Sequence, residues 1–495
     1  MFVAICLLAA AVPSHFFGTG MMLPRDVPIP VWGTASPGER VIVKFGGESA
    51  VASADGKGDW CAVLPSFPAS EVPRELSVGA VGSASPTRFT DVVVGDVYIA
   101  GGQSNMQFPV YGESARQHDM KGNALVQIVD DPLLRFSAPK RIFSAIPTND
   151  VSLTWRRSCR TDLVRKLYDG IHEEGSFSAV AWYFARYVRE AAKIPVAVVD
   201  VSRGGAFIEP SMPPEAVTRG KELGFLPLGG HQAPGAMWNA MIAPMVRFPF
   251  KGILWYQGES NKNDTNGVYL AKMEALVKGW RREFRNPDLP FLYVQLAPCA
   301  TGHLAVQLQQ SEYARRDPKS AMVVTSDIGN IANIHPRDKD TVGLRLALRA
   351  LKRIYGFSEI EDASPEPRSA VADSSGCVTI AFDNAKWLYV LNENGSLAAD
   401  FELRDADGRW HRAKILNFRD TWVWYQRKNV KNGEFAGNEI VLSSPGVASP
   451  TAVRHLFNPP WTGCVFNEAS LPLGPFEIVF SPCGAEGDMV QSAPF

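Results

Sequence analysis

The sequence predicts an α/β domain with a mostly parallel sheet, flanked on each side by an all-β module. Residues 19–92 contain short apolar runs separated by Gly, Pro and Asp-Gly turns, a spacing typical of a small antiparallel sandwich. From residue 93 to 358, apolar strands alternate with amphipathic helices, which indicates a parallel sheet covered on both faces. From 359 to 495 the strands are short again and are separated by Gly-containing turns, which predicts a second all-β module.

The individual elements follow from runs of apolar residues and from their period. In the N-terminal module the predicted strands are VPIPVWG (27–33), RVIVKFGG (40–47) and WCAVLP (60–65). In the α/β domain they are residues 96–102, 195–202, 252–258, 290–296 and 322–329, and the predicted helices are 178–193, 267–284, 304–317 and 340–356. In the C-terminal module the predicted strands are CVTIAFD, WLYVLN, FELRD, WHRAKIL, TWVWYQ, EIVLSS and FEIVFS.

Composition places the chain among ordinary globular proteins. Its 495 residues include 50 Lys and Arg against 51 Asp and Glu, a net charge of −1, so there is no electrostatic reason to expect a nucleic acid partner. Hydrophobic residues make up 46% and charged residues 20%, which excludes a disordered tail, a coiled coil and a collagen-like chain. The 12 Trp, 12 Tyr and 27 Phe could form sugar-stacking platforms, although such residues more often fill β-sandwich cores.

The N-terminus predicts export. Residues 3–12 form an apolar run, ending in small residues before Pro13, that is too short to span a bilayer and resembles the core of a signal peptide. We therefore predict a signal peptide within residues 1–18 and a periplasmic, secreted or lumenal location, although no Lys or Arg precedes the apolar run. No other segment has 18 uninterrupted apolar residues, so we expect no stable membrane span.

Cysteine spacing is compatible with disulfides and not with a zinc site. Six cysteines remain when Cys6 is assigned to the signal peptide, and an even number in an exported protein permits disulfides. Cys464 and Cys483 lie in one segment and could pair. No C-x-x-C motif is present, so we expect no metal site.

Two predicted strand ends carry glycine-containing turns. Catalytic groups collect at the carboxyl ends of parallel strands, because the ligand crevice lies there. Ser104, in Gly101–Met106, is placed to act as a nucleophile with its own N–H near an oxyanion, although the segment is not G-x-S-x-G and a serine there also suits a helix cap. Gly204 and Gly205, after Arg203, would let a backbone N–H approach a ligand, but they also suit an ordinary turn.

Two further segments supply an amide, carboxylates and a histidine. Gln257 and Glu259 follow the strand GILWY, where an amide can donate to an oxyanion and a carboxylate can orient a histidine. His335 lies between the strand ending near Asp327 and a long helix, and Pro336 restricts its backbone to extended conformations. A histidine held there could act as general base to a serine, although a lone histidine is usually a surface or core residue. Together the four segments match the parts of an acyl-transfer site.

These segments resemble the sialate O-acetylesterase family, carbohydrate acetylesterases of the SGNH-hydrolase superfamily. The resemblance rests on GDVYIAGGQSNMQF (95–108), SRGGAFIEP (202–210), WNAMIAPM (238–245), KGILWYQGESN (251–261) and IHPRDKDTVGLRLAL (334–348). Flanking matches at 21–41, 450–461 and 467–478 extend it over nearly the whole chain. It implies a flavodoxin-like three-layer α/β/α domain and a serine esterase that needs no cofactor.

The resemblance also implies a role for each residue. Ser104 would be the nucleophile and His335 the base, with oxyanion donors from the Ser104 N–H, a glycine N–H (Gly205 in preference to Gly204) and Gln257.

Many SGNH enzymes have Asp three residues before the histidine, where this chain has Ala332. The acid is therefore Glu259, favoured by likeness to acetylxylan esterases, or Asp327, or a backbone carbonyl.

The substrate implied by the family is a sialic acid with a 9-O-acetyl group. A sialate carboxylate would require a cation, for which Arg203, Arg337 and Arg454 are candidates. The same scaffold also removes acetyl groups from xylan and other plant polysaccharides, and a catalytically inactive carbohydrate-binding protein is the alternative from another class. A glycosidase that uses Glu259 as its acid would need a second carboxylate about 5–10 Å away.

Overall fold

The computed structural model describes residues 11–110, 128–163, 177–329, 332–391, 400–425, 428–458 and 464–480. The chain divides into two compact units. The first consists of the residues up to 257 with 272–292 and 339–347, and the second consists of 258–271, 293–338 and the residues from 348 onward.

The described residues form 26 strands and seven α-helices. The strands are β1 Val12–Pro13, β2 Met22–Pro24, β3 Ile29–Thr34, β4 Arg40–Phe45, β5 Glu48–Ser53, β6 Asp59–Leu64, β7 Ser70–Ala80, β8 Thr87–Gly102, β9 Asp131–Ser137, β10 Arg156–Ser158, β11 Val196–Asp200, β12 Gly252–Tyr256, β13 Phe291–Val294, β14 Ser320–Val323, β15 Glu366–Ala372, β16 Val378–Asp383, β17 Leu388–Leu391, β18 Phe401–Arg404, β19 Trp410–Arg412, β20 Lys414–Ile415, β21 Phe418–Tyr425, β22 Lys428–Phe435, β23 Glu439–Ser443, β24 Ala452–His455, β25 Cys464–Asn467 and β26 Phe476–Val479. The helices are α1 Ser104–Gln107, α2 Arg160–Leu163, α3 Ala179–Ala192, α4 Pro214–Thr218, α5 Val268–Glu283, α6 Leu304–Arg316 and α7 Lys339–Arg353.

Parallel strands form the centre of the first unit. Strand β8 lies between β11 and β12 and is parallel to both, β9 is parallel to β11 on the far side, and β10 pairs antiparallel with β9. Every residue of β11 and β12 is buried, as expected for strands covered on both faces. The sequence therefore correctly predicts parallel strands in this region, although it does not predict β9 and β10.

Helix α3 is an example of a helix whose ends are readable from sequence. The predicted range of 178–193 is confirmed as Ala179–Ala192. The Ser178 hydroxyl accepts a hydrogen bond from the Ala181 N–H, and Lys193 ends the helix with φ of 57°. The helix is amphipathic and packs against β11 through its buried face.

The N-terminal strands connect directly with the parallel strands. Strands β1, β3 and β6 form a separate antiparallel sheet, whereas β4, β5 and β7 join β8 through antiparallel pairing. Strand β8 pairs with β7 near its start and with β11 near its end, so the predicted domain boundary at residue 93 lies inside one strand.

Residues 11–18 belong to this folded part, although we predicted them within the signal peptide. Strand β1 pairs with β3, and the Phe16 ring is fully buried against Trp32, with a centroid distance of 5.2 Å. Cleavage after residue 18 would remove that ring from the core, and the signal-peptide boundary at residue 18 stays a prediction. Residues 1–10, which contain most of the predicted apolar run and Cys6, lie outside the described residues.

The second unit contains the strands of the C-terminal module. They form three four-stranded antiparallel sheets, in the orders β15-β16-β23-β20, β21-β22-β17-β25 and β19-β18-β24-β26. Alternate residues of these strands enter one core that includes Ile380, Leu403 and Ile478. This confirms the prediction of an all-β region. Cys483, a predicted partner for Cys464, and the last residues of the chain lie outside the described residues.

One predicted strand of the second unit begins and ends earlier than expected. We predicted 322–329, and the observed strand is Ser320–Val323. The polar residues after it form a turn, in which the Thr325 hydroxyl donates to the Gln295 carbonyl at 2.8 Å. In the part of the chain that the structure describes, no helix is both long and apolar enough to cross a membrane.

Candidate active site

The turn after β8 is shaped by a glycine that no other residue could replace. Gly102 has φ of +130°, and a Cβ there would lie 2.1 Å from the Tyr256 carbonyl oxygen on β12. The next N–H, of Gln103, donates to that same oxygen at 2.9 Å. The chain therefore turns sharply where β8 ends, and Ser104 becomes the first residue of α1, half-buried.

The glycine loop after β11 lies against this turn. The Arg203 N–H donates to the Gly102 carbonyl at 3.0 Å, and a Cβ on Gly204 would lie 3.8 Å from the Ser104 Cβ. The Gly204 N–H donates to the Gln107 side-chain oxygen. Gly205 is exposed with φ of +70°. The serine turn and the glycine loop are thus neighbours, as predicted from their positions at adjacent strand ends.

Gln257 connects the loops that follow three strands. Its side chain is fully buried, and its Nε2 donates to the Gln103 side-chain oxygen and to the Ala206 carbonyl, each at 3.2 Å. Gln103 belongs to the serine turn and Ala206 ends the glycine loop. The amide therefore lies at the junction of the strand ends, and its two hydrogens are used within the protein.

Two residues that sequence analysis missed, Asp200 and Arg141, support the base of the glycine loop. The buried Asp200 carboxylate accepts from the Ser202 N–H at 2.9 Å and from its hydroxyl at 2.5 Å. The buried Arg141 side chain donates to the Ser202 carbonyl at 2.7 Å and lies 3.5 Å from Asp200. A carboxylate at the end of the otherwise apolar strand VAVVD is the signal that could have identified Asp200.

Arg203 lies at the outer side of the same loop. It is half-buried, and its guanidinium lies over the Phe143 ring, 5.5 Å from the centroid. The Gln232 side chain donates to the Gly205 carbonyl at 2.8 Å and accepts from the Phe207 N–H at 3.1 Å. The loop is therefore held from outside as well as from its base.

The remaining predicted site residues belong to the second unit. Glu259 is 4% exposed and begins a 3₁₀ turn after Gly258, whose φ is +146°. Asp327 is half-buried in the turn that follows β14. His335 is half-buried, and its N–H donates to the Asn333 side-chain oxygen at 2.9 Å. Among the described residues, no three His, Cys, Asp or Glu side chains cluster as a metal ion would require.

Comparison with known proteins identifies the family. The family model for carbohydrate esterases described as sialic acid-specific acetylesterases matches residues 94–352, which include every predicted catalytic residue and every predicted oxyanion donor. The chain belongs to this family of carbohydrate esterases. It is therefore a carboxylic ester hydrolase.

Individual members of the family resemble this esterase over most of its length. The sialate O-acetylesterases of Pongo abelii and Homo sapiens are 29% and 28% identical to it in alignments 388 residues long, each of which covers 68% of this chain and 69% of the relative. The crystal structure of a carbohydrate acetylesterase from Xanthomonas citri superposes with a TM-score of 0.78 at 30% identity, covering 94% of this chain and 99% of that one.

A buried ion pair stabilises the segment that follows the glycine loop of this esterase. Glu209 and Lys272 are both completely buried, with 2.7 Å between the carboxylate Oε1 and the ammonium Nζ. Sequence analysis missed the pair because its members are 63 residues apart.

Replacing Lys272 with Met should destabilise the fold, since it leaves a buried carboxylate without its cation. We expect a loss of about 3–5 kcal/mol in the free energy of unfolding, measured by denaturant unfolding followed by tryptophan fluorescence. The matched control is Glu190→Gln, which breaks the surface pair Arg186–Glu190, and this should cost no more than about 1 kcal/mol. Equal losses in the two variants would contradict the prediction.

Proposed function

We propose that this esterase removes O-acetyl groups from carbohydrates through an acetyl-enzyme intermediate. Ser104 attacks the acetyl carbonyl while His335 takes the hydroxyl proton, and His335 returns that proton to the departing sugar oxygen. His335 then deprotonates a water molecule that attacks the acetyl-enzyme, and it passes that proton to the Ser104 oxygen as acetate leaves, which regenerates the serine hydroxyl. The observation that carries the proposal is the junction of strand ends that holds Ser104, the glycine loop and Gln257 together.

The proposed oxyanion donors are the N–H groups of Ser104 and Gly205 and the Gln257 side chain. Gly205 is favoured over Gly204 because Gly205 is exposed, whereas Gly204 is half-buried. Gln257 would have to exchange one of its two 3.2 Å hydrogen bonds for one to the oxyanion. Such an exchange is favourable, because hydrogen bonds to a charged acceptor are shorter and about twice as strong.

Replacing Gln257 with Ala should reduce kcat by about 10²- to 10³-fold with little change in KM, because the oxyanion exists only along the reaction path. Gln257→Glu keeps the shape of the side chain but brings a negative charge to the oxyanion, so it should reduce kcat at least as much. Steady-state kinetics with a soluble acetyl ester measures both variants. If kcat stays within about threefold of wild type in both, Gln257 is not a donor.

The proposed substrate is a sialic acid acetylated at O9. Arg203 is the candidate partner for its carboxylate, because its backbone N–H donates to the Gly102 carbonyl beside the serine turn and its guanidinium lies over the Phe143 ring. Arg454 is less suitable, since its Nε already donates to Glu402 at 2.7 Å and its guanidinium lies over the Trp410 ring. Arg337 is exposed and remains a candidate. Acetylated xylan is the alternative substrate and would need no cation at this position.

Acetate release from two substrates in parallel tests this proposal. The purified protein is incubated with 9-O-acetylated sialic acid and with acetylated xylan, with Ser104→Ala as the control. Release from the sialate alone, abolished in the variant, is the expected result. Release from xylan alone would leave the chemistry intact and overturn the substrate assignment. No release from either by folded protein would favour a catalytically inactive carbohydrate-binding protein, and failure of a fluorophosphonate probe to label Ser104 would support that alternative.

We also infer the three-layer, flavodoxin-like α/β/α arrangement of SGNH hydrolases for the α/β region, and export of the protein from the cytoplasm. The first inference is supported by the parallel strands β11, β8 and β12, which are buried on both faces, and by the packing of α3 on β11. The second rests on the apolar run at residues 3–12.

A further inference from the structure

A buried lysine begins helix α7. Lys339 is 1% exposed, and its ammonium Nζ lies 2.5 Å from the side-chain oxygen of Asn105. The same ammonium lies over two aromatic rings, 5.0 Å from the centroid of Phe108 and 5.5 Å from that of Tyr256. Its surroundings thus combine a hydrogen-bond acceptor with two negative ring faces, which is an arrangement suited to a cation.

This position is an expensive one for a lysine. Burying an ammonium costs free energy that its partners must offset, and a cation in the first turn of a helix is opposed by the helix dipole. A methionine would fill a similar volume without either cost. We therefore expect the charge of Lys339 to have a role that a methionine could not fill, which is to hold the groups that it contacts in place.

The residues that Lys339 contacts adjoin the proposed catalytic groups. Asn105 directly follows Ser104 and is 1% exposed, and Tyr256 directly precedes Gln257. The ammonium thus contacts both the turn that carries the proposed nucleophile and the strand end that carries the proposed oxyanion donor.

Helix α1 depends on such external contacts for its orientation. It has only four residues, and the side chain of Gln103 does not cap its first turn. A single helical turn has almost no stability of its own, because fixing the backbone of the first turn costs more free energy than its hydrogen bonds contribute. The direction of the Ser104 side chain is therefore set by contacts made by its neighbours, among which the Asn105–Lys339 hydrogen bond is buried and charge-assisted.

We propose that Lys339 is a positioning residue for Ser104. Its ammonium holds Asn105, which directly follows Ser104 in the serine turn, and it packs against Tyr256, which directly precedes Gln257 at the end of β12. This inference rests on the proposed function, in which Ser104 attacks the ester. It assigns to Lys339 no contact with the substrate and no proton transfer. The charge and the length of Lys339 keep the nucleophile Ser104 and the oxyanion donor Gln257 in the correct relative positions.

Lys339→Met tests this role, because it keeps the bulk of the side chain and removes the charge. We expect kcat for acetyl ester hydrolysis to fall by about 10- to 100-fold while KM changes by no more than about twofold, since small misplacements of a reacting group cost up to about 10². The rate at which a fluorophosphonate inactivates Ser104 should fall by the same factor. This second readout reports on the reactivity of Ser104 without involving the carbohydrate, and it is measured per folded molecule, with folding checked by thermal unfolding.

A double-mutant cycle tests whether the effect passes through Asn105. If it does, Lys339→Met combined with Asn105→Ala should lose no more activity than the worse single variant, because coupled residues are non-additive.

The matched control is Lys352→Met, which removes a positive charge from the last turn of the same helix and should leave kcat within about twofold of wild type. The proposal is overturned if Lys339→Met retains kcat and the inactivation rate within threefold, or if both losses only track the unfolded fraction. Activity surviving in Ser104→Ala would instead refute the proposed function.

Discussion

Replacing Ser104 with Ala should reduce the turnover of acetyl esters by about 10⁴- to 10⁶-fold, the scale of loss when a serine nucleophile is removed. The reason is that no other group in the proposed mechanism can form the acetyl-enzyme. Binding of the carbohydrate should persist, since the variant removes one oxygen from a half-buried side chain. Acetate release measures turnover, and calorimetric titration with the acetylated sugar measures binding.

The matched control for this prediction is Ser375→Ala, which removes the hydroxyl of an exposed turn serine in the C-terminal module. Its turnover should equal that of wild type. Turnover of Ser104→Ala within tenfold of wild type would exclude Ser104 as the nucleophile. Loss of binding together with turnover would indicate a damaged fold, which thermal unfolding distinguishes.

Replacing Glu259 with Ala should reduce kcat by up to about 10⁴-fold if its carboxylate orients the catalytic histidine. Glu259 is favoured over Asp327 because it is 4% exposed whereas Asp327 is half-buried, and a carboxylate removed from water interacts more strongly with an imidazolium. The expected loss is in kcat and not in KM, because the imidazolium forms only during the reaction.

Asp327→Ala is the matched comparison, and we expect it to lose less than tenfold in kcat. A large loss in Asp327→Ala with near wild-type turnover in Glu259→Ala would reverse the assignment. Near wild-type turnover in both variants would favour a backbone carbonyl as the group that orients His335. Steady-state kinetics of the two variants, in parallel with wild type, distinguishes all three outcomes.

Sequence reasoning identified the elements that local patterns encode. The helices predicted at 267–284 and 304–317 are observed as Val268–Glu283 and Leu304–Arg316, and the strand GILWY is observed at Gly252–Tyr256. Their apolar periodicity was sufficient because buried faces recur at the period of the element. The serine turn was also predicted, because glycines directly after a strand indicate a tight turn. The structure agrees, since Gly102 has a conformation that only glycine tolerates.

Local patterns could not reveal the polar pairs around the site. Lys339 and Asn105 are 234 residues apart, and Arg141 and Ser202 are 61 apart. The sequence around a polar residue does not identify its distant partner, so a buried lysine at the start of a helix cannot be distinguished from an exposed one. Residues 11–18 are ambiguous from sequence alone, because the same apolar composition suits a signal peptide and a core strand.

The sequence by itself determined the family, the α/β and all-β regions, and the set of polar residues at the strand ends, because period, turn chemistry and motif are local properties. Tertiary structure decided how these residues are held. It placed the glycine loop against the Ser104 turn, engaged the Gln257 amide with two acceptors, and buried Lys339 against Asn105. The physical reason is that burial and hydrogen-bond partnership depend on which distant segments the fold brings into contact.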